Sequence, residues 1–227
     1  MFDVVTFGSG LVDVFIETGI PEKGKFMCYP SGSKILVEDL RSDVGGGGTN
    51  TAVAFSRLGL KTGCICGIGN DLNGIQILSC LKVEEIKFLG KKKKGKSGYS
   101  VVLNSAQHNR TILTDKGVNN DISLKDVKKF KTKWLYFSSL LGTSFQTQKK
   151  LADKLTRKGA KLAFNPSEYL IKRHNLKGIL RLCEIVIMNK EEAAILCKRK
   201  DKDLLKGLSE LGPKIVVITD KDNLIRA

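Results

Sequence analysis

Four consecutive glycines, Gly45 to Gly48, followed by Thr49 and Asn50, form the most informative stretch of the sequence. Such a run costs backbone entropy, and it is useful where a backbone must approach a ligand closely or bend. The pattern that follows predicts a helix, whose first N–H groups would point back at the glycines. The run lacks the GK[ST] ending of a Walker A loop and the spacing of a GxGxxG fingerprint. It predicts a ligand-binding bend, and the alternative is a flexible loop with Asn50 as the helix cap.

Asp13 is a second candidate for ligand binding. It follows the segment GSGLV at positions 8–12, at the predicted carboxyl end of the first strand. Ligands of open α/β sheets collect at that edge, and a carboxylate there can accept hydrogen bonds from sugar hydroxyls. The alternative is an ordinary turn aspartate, which the position alone favours.

A third group of polar residues lies where the strand CEIVIMN meets the helix KEEAAILCK. Asn189 and Glu192 are three residues apart, so they share one face and could hold a hydrated magnesium ion and phosphate oxygens. The same spacing is also typical of a capping box at the start of a helix, which the pattern alone favours. Thr219 ends the last predicted strand at the same edge of the sheet.

The elements that must position these residues alternate along the chain. Apolar runs such as FDVVTF, TGCICG, WLYFSS, AKLAFN and KIVVITD predict strands, and amphipathic segments such as SFQTQKKLADKLTRKG and KDLLKGLSEL predict helices between them. EEIKFL predicts a further strand. Near-continuous apolar strands separated by helices indicate a mostly parallel, doubly wound α/β sheet covered on both faces.

More polar segments interrupt this rhythm at approximately residues 11–41 and 98–115, with SKILVEDLRSDV, SGYSVVLN and RTILTD as predicted strands. They predict a small β layer attached to the main sheet within one α/β domain over residues 1–227. The lysine-rich stretch KKKKGK at 91–96 predicts a solvated hairpin tip or linker.

Composition narrows the class of protein. The chain has 227 residues and a formal charge of +16, mostly from lysines spread over predicted helices, and only 7% aromatic residues. Scattered lysine with few aromatics argues against specific nucleic-acid binding, although the positive field would attract anionic ligands. No apolar run approaches the roughly 20 residues that span a bilayer. The amino terminus lacks a secretory pattern, and the six cysteines show no CxxC pair, so we expect a cytoplasmic protein with buried, reduced thiols.

Together these segments resemble the ribokinase-like (PfkB) carbohydrate kinase family. The match runs through GSGLVD at 8–13, GGGGTNTAVAFSRLG at 45–59, GIGNDLNG at 67–74, RTILTDKGVN at 110–119, MNKEEA at 188–193 and VVIT at 216–219. The resemblance implies a ribokinase-like fold with a small β lid. It also implies transfer of the γ-phosphoryl group of ATP, with Mg2+, to a hydroxyl of a sugar, a sugar phosphate or a nucleoside.

The resemblance also assigns roles by position. Asp13 and Asn50 would bind the substrate, and Gly45 and Gly46 would be the paired glycines that flex beneath it.

In the nucleotide half, Asn189 would lie near ATP phosphates and Glu192 near magnesium. Thr219 would lie beside the nucleotide, although Asp220, Lys221 and Asp222 follow it where the family usually shows a glycine.

One departure is more serious, because no string like the family's GAGD element occurs in the 227 residues. In the family that element supplies the anion hole and the aspartate that takes the proton of the acceptor. We therefore expect an incomplete kinase whose catalytic carboxyl-terminal part lies elsewhere, and which is close to inactive alone. The alternative is a non-catalytic sugar- or nucleoside-binding protein. A homodimer through the lid strands is a further expectation.

Overall fold

The structure, a computed structural model, describes residues 1–199, 203–220 and 225–227. The strands are β1 (Phe2–Phe7), β2 (Leu11–Glu17), β3 (Glu22–Lys23), β4 (Phe26–Met27), β5 (Asp39–Gly45), β6 (Thr62–Ile65), β7 (Lys87–Phe88), β8 (Gly98–Asn104), β9 (Arg110–Asp115), β10 (Thr132–Ser138), β11 (Lys161–Asn165), β12 (Ile185–Asn189) and β13 (Ile215–Thr219). The α-helices are α1 (Gly47–Arg57), α2 (Leu72–Val83), α3 (Gly142–Thr156), α4 (Glu168–Arg173), α5 (Lys177–Leu180), α6 (Lys190–Cys197) and α7 (Leu204–Ser209).

Seven strands form the main sheet, in the order β13-β12-β11-β10-β1-β6-β7. Every pairing between named strands in it is parallel. Adjacent residues of β6 face opposite sides, as a strand requires, and Cys64 and Ile65 enter different apolar clusters. Both faces of the sheet are therefore buried at β6, whereas β12 and β13 alternate buried residues with half-buried or exposed ones. The parallel order and the apolar strands confirm the predicted doubly wound architecture.

A second sheet of four strands has the order β5-β2-β8-β9. Strand β2 pairs antiparallel with β5 and parallel with β8, and β8 and β9 form an antiparallel pair. All six residues of β9 are exposed, and so are five of the seven in β5. This is the small β layer that the polar segments predict, and we call it the lid sheet.

Several element boundaries differ from the sequence-based expectation. The lid strand expected over SKILVEDLRSDV begins only at Asp39, and the strand expected over EEIKFL is reduced to Lys87–Phe88. The pattern did not separate β2 from the glycine turn before it, and it did not identify the short helices α4 and α5. These errors share a cause, because short elements owe their conformation to tertiary packing more than to local propensity.

The lysine-rich stretch 91–96 is not a hairpin tip. It connects β7 in the main sheet to β8 in the lid sheet. Within this stretch, Lys93 is held through both its backbone and its side chain. The Lys93 N–H donates to the Ile68 carbonyl at 2.8 Å, and its Nζ forms an ion pair with Asp126 at 2.9 Å. Of the two sequence-based alternatives, a connecting segment is correct.

The expectation of buried cysteines holds for Cys64, Cys66 and Cys183, whereas Cys28 is exposed. The remaining two thiols, on α2 and α6, are half-buried. No helix in the described part of the chain combines the length and apolarity that crossing a bilayer requires.

Candidate functional site

The glycine run packs against the turn that follows β1. Gly46 has φ 101°, and a Cβ atom added to it would lie 2.4 Å from the Ser9 carbonyl oxygen. Only glycine satisfies both the positive φ and this close approach of two backbones. The run is therefore fixed by its neighbours in this structure, and the alternative of a loose loop is wrong.

Helix α1 begins inside the run, with Gly46 as its N-cap residue. Asn50 lies in the first turn, exposed, and its N–H donates to the Gly46 carbonyl at 2.9 Å, so the alternative that it caps the helix is wrong. Ser9 instead accepts from the first N–H groups: its carbonyl from Gly48 N at 2.9 Å and its hydroxyl from Gly47 N at 3.3 Å. These groups are therefore engaged by the protein rather than directed at open space.

Asp13 lies on β2 of the lid sheet, in register with Asp43. The alternative of an ordinary turn aspartate is therefore wrong, because that turn ends at Gly10 and the chain enters the lid sheet, within the region 11–41 that was predicted to form it. A Cβ atom on Gly45 would lie 1.8 Å from Asp13 Oδ2. The carboxylate is thus packed directly on the backbone of the glycine run, and any side chain at Gly45 would displace it.

A cation lies at the same end of the lid sheet as this carboxylate, directly after the outer strand β9. Burial lowers the pKa of Lys116, and the charge of Asp13 opposes that shift. The Lys116 Nζ also lies 5.9 Å from the ring centroid of Tyr169. Lys116 follows β9 directly, so the lid sheet contributes both a carboxylate and an ammonium group to one region. Nothing in the sequence marks Lys116, because one lysine among so many carries no signal.

A buried hydroxyl without a hydrogen-bond partner lies beneath the glycine run. Ser138 ends β10 and is 7% exposed, and its Oγ has no partner among the described residues. Added Cβ atoms on Gly8 and Gly47 would lie 1.9 and 2.5 Å from that Oγ. An unpaired buried hydroxyl is costly, and such groups concentrate where a site is completed by something else. No motif or spacing in the sequence points to Ser138.

The side chain of Asn119 forms hydrogen bonds to three segments of the chain, two of which are distant from it in sequence. Its Oδ1 accepts from the N–H groups of Gly10 and Gly67, and its Nδ2 donates to the carbonyls of Gly10 and Lys116, all at 2.9 Å. The residue is fully buried. This amide holds the turn after β1, the turn after β6 and the end of the lid sheet together.

Asn189 and Glu192 form the capping box that was the alternative interpretation. Asn189 Oδ1 accepts from Glu192 N at 2.7 Å, and Glu192 Oε2 accepts from Asn189 N at 3.0 Å. Thr219 is the register partner of Asn189 on the neighbouring strand. Lys190 and Asp220 directly follow these two strand ends, and their side chains form an ion pair at 3.2 Å. The three residues expected at the nucleotide do converge on one sheet edge; Lys221 and Asp222 lie outside the described residues.

The side chains of Glu192 and Asn189 indicate whether a magnesium ion would fit at this edge of the sheet. Burial raises the pKa of Glu192, although the N–H groups of Asn189 and Glu168 partly oppose that shift. In the described residues, no cluster of three or more carboxylate, imidazole or thiolate side chains could ligate a metal directly. Mg2+ usually keeps several waters and uses one or two carboxylates plus phosphate oxygens, so Glu192 and Asn189 suit a hydrated ion.

The residues around Asp13 and the residues around Asn189 both lie at the carboxyl edge of the main sheet, but beside the ends of different strands. Strand β12 lies three positions from β1 in the sheet order. At about 4.8 Å per strand, the ends of β1 and β12 are roughly 14 Å apart. The edge therefore presents an Asp13 end and an Asn189 end, separated by the ends of β10 and β11.

Comparison with known families gives a match over residues 1–221 to the pfkB family carbohydrate kinase model. The chain belongs to the pfkB family of carbohydrate kinases. This confirms the resemblance drawn from the motifs, and it makes the protein a member of a family of carbohydrate kinases. A search of curated protein sequences finds no match.

Solved structures agree with the pfkB fold. A ribokinase from Giardia lamblia is 18% identical with a TM-score of 0.83, covering 100% of this chain and 72% of its own. An adenosine kinase from Sinorhizobium meliloti is 18% identical with a TM-score of 0.81, covering 99% of this chain and 76% of its own. An adenosine kinase from Anopheles gambiae, in complex with P1,P4-di(adenosine-5) tetraphosphate, is 17% identical with a TM-score of 0.80, covering 99% and 83%.

At these identities the likeness shows the fold. The pfkB chain described here spans about three quarters of the first two structures, which agrees with the expectation that part of the ribokinase-like sheet and its helices is missing.

Proposed function

We propose that the chain binds a sugar, sugar phosphate or nucleoside at the Asp13 end of the sheet and ATP at the Asn189 end, for phosphoryl transfer to an acceptor hydroxyl. Asp13, Gly45, Gly46 and Asn50 would hold the acceptor. The observation that carries the proposal is the packing of the Asp13 carboxylate on Gly45, with 1.8 Å between Oδ2 and an added Cβ. A polyol could reach this carboxylate and the glycine backbone together, because no side chain at Gly45 separates them.

The chemistry of the acceptor end follows from its charges. Asp13 accepts hydrogen bonds from hydroxyl groups, and the Lys116 ammonium balances its charge and would favour an acceptor carrying a phosphate. Ser138, buried and unpaired beside Gly47, offers one further donor if the glycine run shifts on binding. These residues bind and orient the acceptor; none of them is placed to remove its proton.

ATP and magnesium would lie along the Asn189 end. Bound Mg2+ neutralises charge on the phosphate oxygens as phosphoryl transfer proceeds. Glu192 would orient the water shell of the ion, Asn189 would lie beside the phosphates, and Thr219 would contact the nucleotide. Their convergence on one edge, with Asn189 and Thr219 in register, supports this assignment.

The missing GAGD element limits what the 227 residues can do. Losing a positioned general base costs about 10²–10⁴ in rate. Losing an anion-hole donor costs roughly 10²–10³. We therefore propose that a separate or additional carboxyl-terminal segment supplies both, and that this chain alone is close to inactive. The second candidate, a non-catalytic binding protein that kept the acceptor site, is favoured by the same absence and by the engagement of Glu192 in its cap.

Calorimetry with ribose, fructose, their phosphates and adenosine tests the acceptor site. Asp13→Asn keeps the shape and removes the charge, and hydrogen bonds to a charged group contribute about 1.5–3 kcal/mol. We expect the affinity for the best ligand to fall roughly 10–150-fold. Asp39→Asn, an exposed carboxylate of β5 in the same lid sheet, is the matched control and should bind normally. Equal binding by Asp13→Asn would remove the acceptor assignment.

Phosphotransfer separates the kinase from the binding protein. The best acceptor and ATP are incubated with the chain, with and without a carboxyl-terminal polypeptide that carries a GAGD element. Activity only in the complemented sample supports the incomplete kinase. Binding without activity in either sample supports the binding protein. The exposed strand β9, with Ile112 and Leu113 at 50% and 58% exposure, supports a homodimer through the lid sheet, which sedimentation velocity measures.

A further inference from the structure

A cavity lies at the opposite end of β10 from the candidate site. It has a volume of about 770 Å3 and is bordered by Met1, the segment from Leu124 to Thr132, and the carboxyl-terminal half of α3. We call it the basal groove. Thr132 is the first residue of β10 and Ser138 the last, so about 20 Å of strand separates the groove from the hydroxyl beneath the glycine run.

The inside of the basal groove is apolar. Leu151 and Ala160 are 7% and 9% exposed, and Val127, Phe130 and Leu155 are half-buried beside them. Val127, Phe130 and Leu155 pack against the main core. The groove is thus a continuation of the apolar core that opens to solvent, and its volume lies within the range of roughly 300–1,000 Å3 typical of small-molecule sites.

The border of the basal groove is cationic. Five of its lining residues are lysines, at positions 128, 129, 131, 154 and 158, and none of the lining residues is acidic. Only Lys128 has a partner in the described structure, the Phe88 carbonyl at 3.3 Å. The side chains of the other four form no ion pair with any described residue.

The carboxylates nearest in sequence do not neutralise this border. Asp3 pairs with Lys133 at 2.8 Å, Asp126 with Lys93 at 2.9 Å, and Asp153 with Arg157 at 2.8 Å. Each acidic residue is therefore engaged with a cation that does not line the groove. The surplus positive charge is concentrated at an apolar opening, which differs from a uniformly solvated lysine surface.

The dipole of α3 offers a simpler explanation for part of the charge. Cations near a helix carboxyl terminus are stabilising, and Lys154 and Lys158 lie there. The other three lysines belong to the segment between the three-residue 3-10 helix Leu124–Asp126 and β10, where no α-helix of the described chain ends. The helix dipole therefore explains the two lysines on the α3 side of the groove but not the three lysines on the other side.

We propose that the basal groove binds an amphipathic anion, an apolar chain that carries one carboxylate, of the fatty-acid type. The apolar interior would take the chain and the lysines the carboxylate. A polyanion such as a nucleic acid would leave the interior unfilled, and a neutral lipid would leave the lysines unpaired. This proposal does not depend on the kinase reaction, because the groove shares no residue with the Asp13 or Asn189 ends of the sheet.

Calorimetry with octanoate, decanoate and dodecanoate below their micelle concentrations tests the proposal on the full chain. Each added methylene should tighten binding about fourfold. Dodecanol should bind at least tenfold more weakly than dodecanoate. Lys154→Gln with Lys158→Gln should lose about tenfold in dodecanoate affinity. The control, Lys34→Gln with Lys150→Gln, removes the same charge from exposed sites outside the groove and should bind normally.

Thermal unfolding of both double variants checks that they fold. The absence of saturable binding, an affinity that is independent of chain length, or an equal loss in both variants would overturn the proposal. Binding of heparin but not of dodecanoate would also overturn it and would indicate a polyanion surface. Sugar affinity measured on the same samples reports separately on the acceptor site.

Discussion

Replacing the Asn119 side chain tests most directly how the two turns and the lid sheet are held together. Its Oδ1 accepts from Gly10 N and Gly67 N, and the structure offers these N–H groups no other acceptor. The substitution Asn119→Ala removes the acceptor inside a fully buried environment. A buried donor left unsatisfied costs about 1–3 kcal/mol, so two of them cost roughly 2–6 kcal/mol of unfolding free energy.

Equilibrium urea unfolding measures this loss. With a urea dependence of about 3 kcal/mol per molar, the midpoint should fall by roughly 0.7–2 M. The matched control is Asn73→Ala in the first turn of α2, where the side chain makes no hydrogen bond to a described residue. Its unfolding free energy should change by no more than about 0.5 kcal/mol.

A loss of unfolding free energy below about 1 kcal/mol for Asn119→Ala, with an unchanged urea dependence, would contradict this role of the amide. Water would then satisfy both N–H groups, and Asn119 would not be the link between the two turns and the lid sheet. A large loss with intact sugar binding would show instead that the link stabilises the fold without positioning Asp13.

Two further predictions concern charge and backbone. Burial alone would raise the pKa of Asp126, but hydrogen bonds from the Ser123 hydroxyl and N–H and from Lys93 lower it to about 2. A pKa below the ordinary value of 3.8 contributes stability above that pH, and this contribution is lost as the pH falls from about 4 to 2. The unfolding free energy, measured over this pH range, should therefore depend less steeply on pH for Asp126→Asn than for the unchanged chain. Identical pH dependences would contradict the role assigned to Asp126. Gly46→Ala combines a positive φ with a backbone clash and should cost roughly 2–5 kcal/mol in thermal or urea unfolding. Its control, Gly178→Ala in α5, meets nothing within 4 Å and should be neutral or stabilising; a neutral Gly46→Ala would mean that the run is not held against Ser9.

The candidate site could be predicted from the sequence only in part. Asn189, Glu192 and Thr219 were correctly expected at one edge, because parallel strands end at the same side of a sheet whatever their order. Asp13 was expected both at the carboxyl end of the first strand and inside the lid region 11–41, and the structure places it on lid strand β2. The pattern left this open, since nothing local marks where a turn ends and a new sheet begins.

Lys116, Asn119 and Ser138 could not be found from the pattern. Each acts through a partner distant in sequence, and Asn119 bonds Gly10 across 109 residues. The basal groove is also a tertiary feature, because its two sides are separate segments whose lysines look in sequence like any solvated face.

The layered α/β architecture, the family and the importance of the glycine run follow from the order of the amino acids, because periodicity, turn residues and motif spacing can be read along the chain without knowledge of its contacts. The tertiary structure alone decided which groups meet: the Asp13 carboxylate on Gly45, the unpaired Ser138 hydroxyl beneath Gly47, and the reciprocal cap of Asn189 and Glu192. The physical reason is that a hydrogen bond or a close backbone approach depends on distances of a few tenths of an ångström, and only the packed chain fixes these.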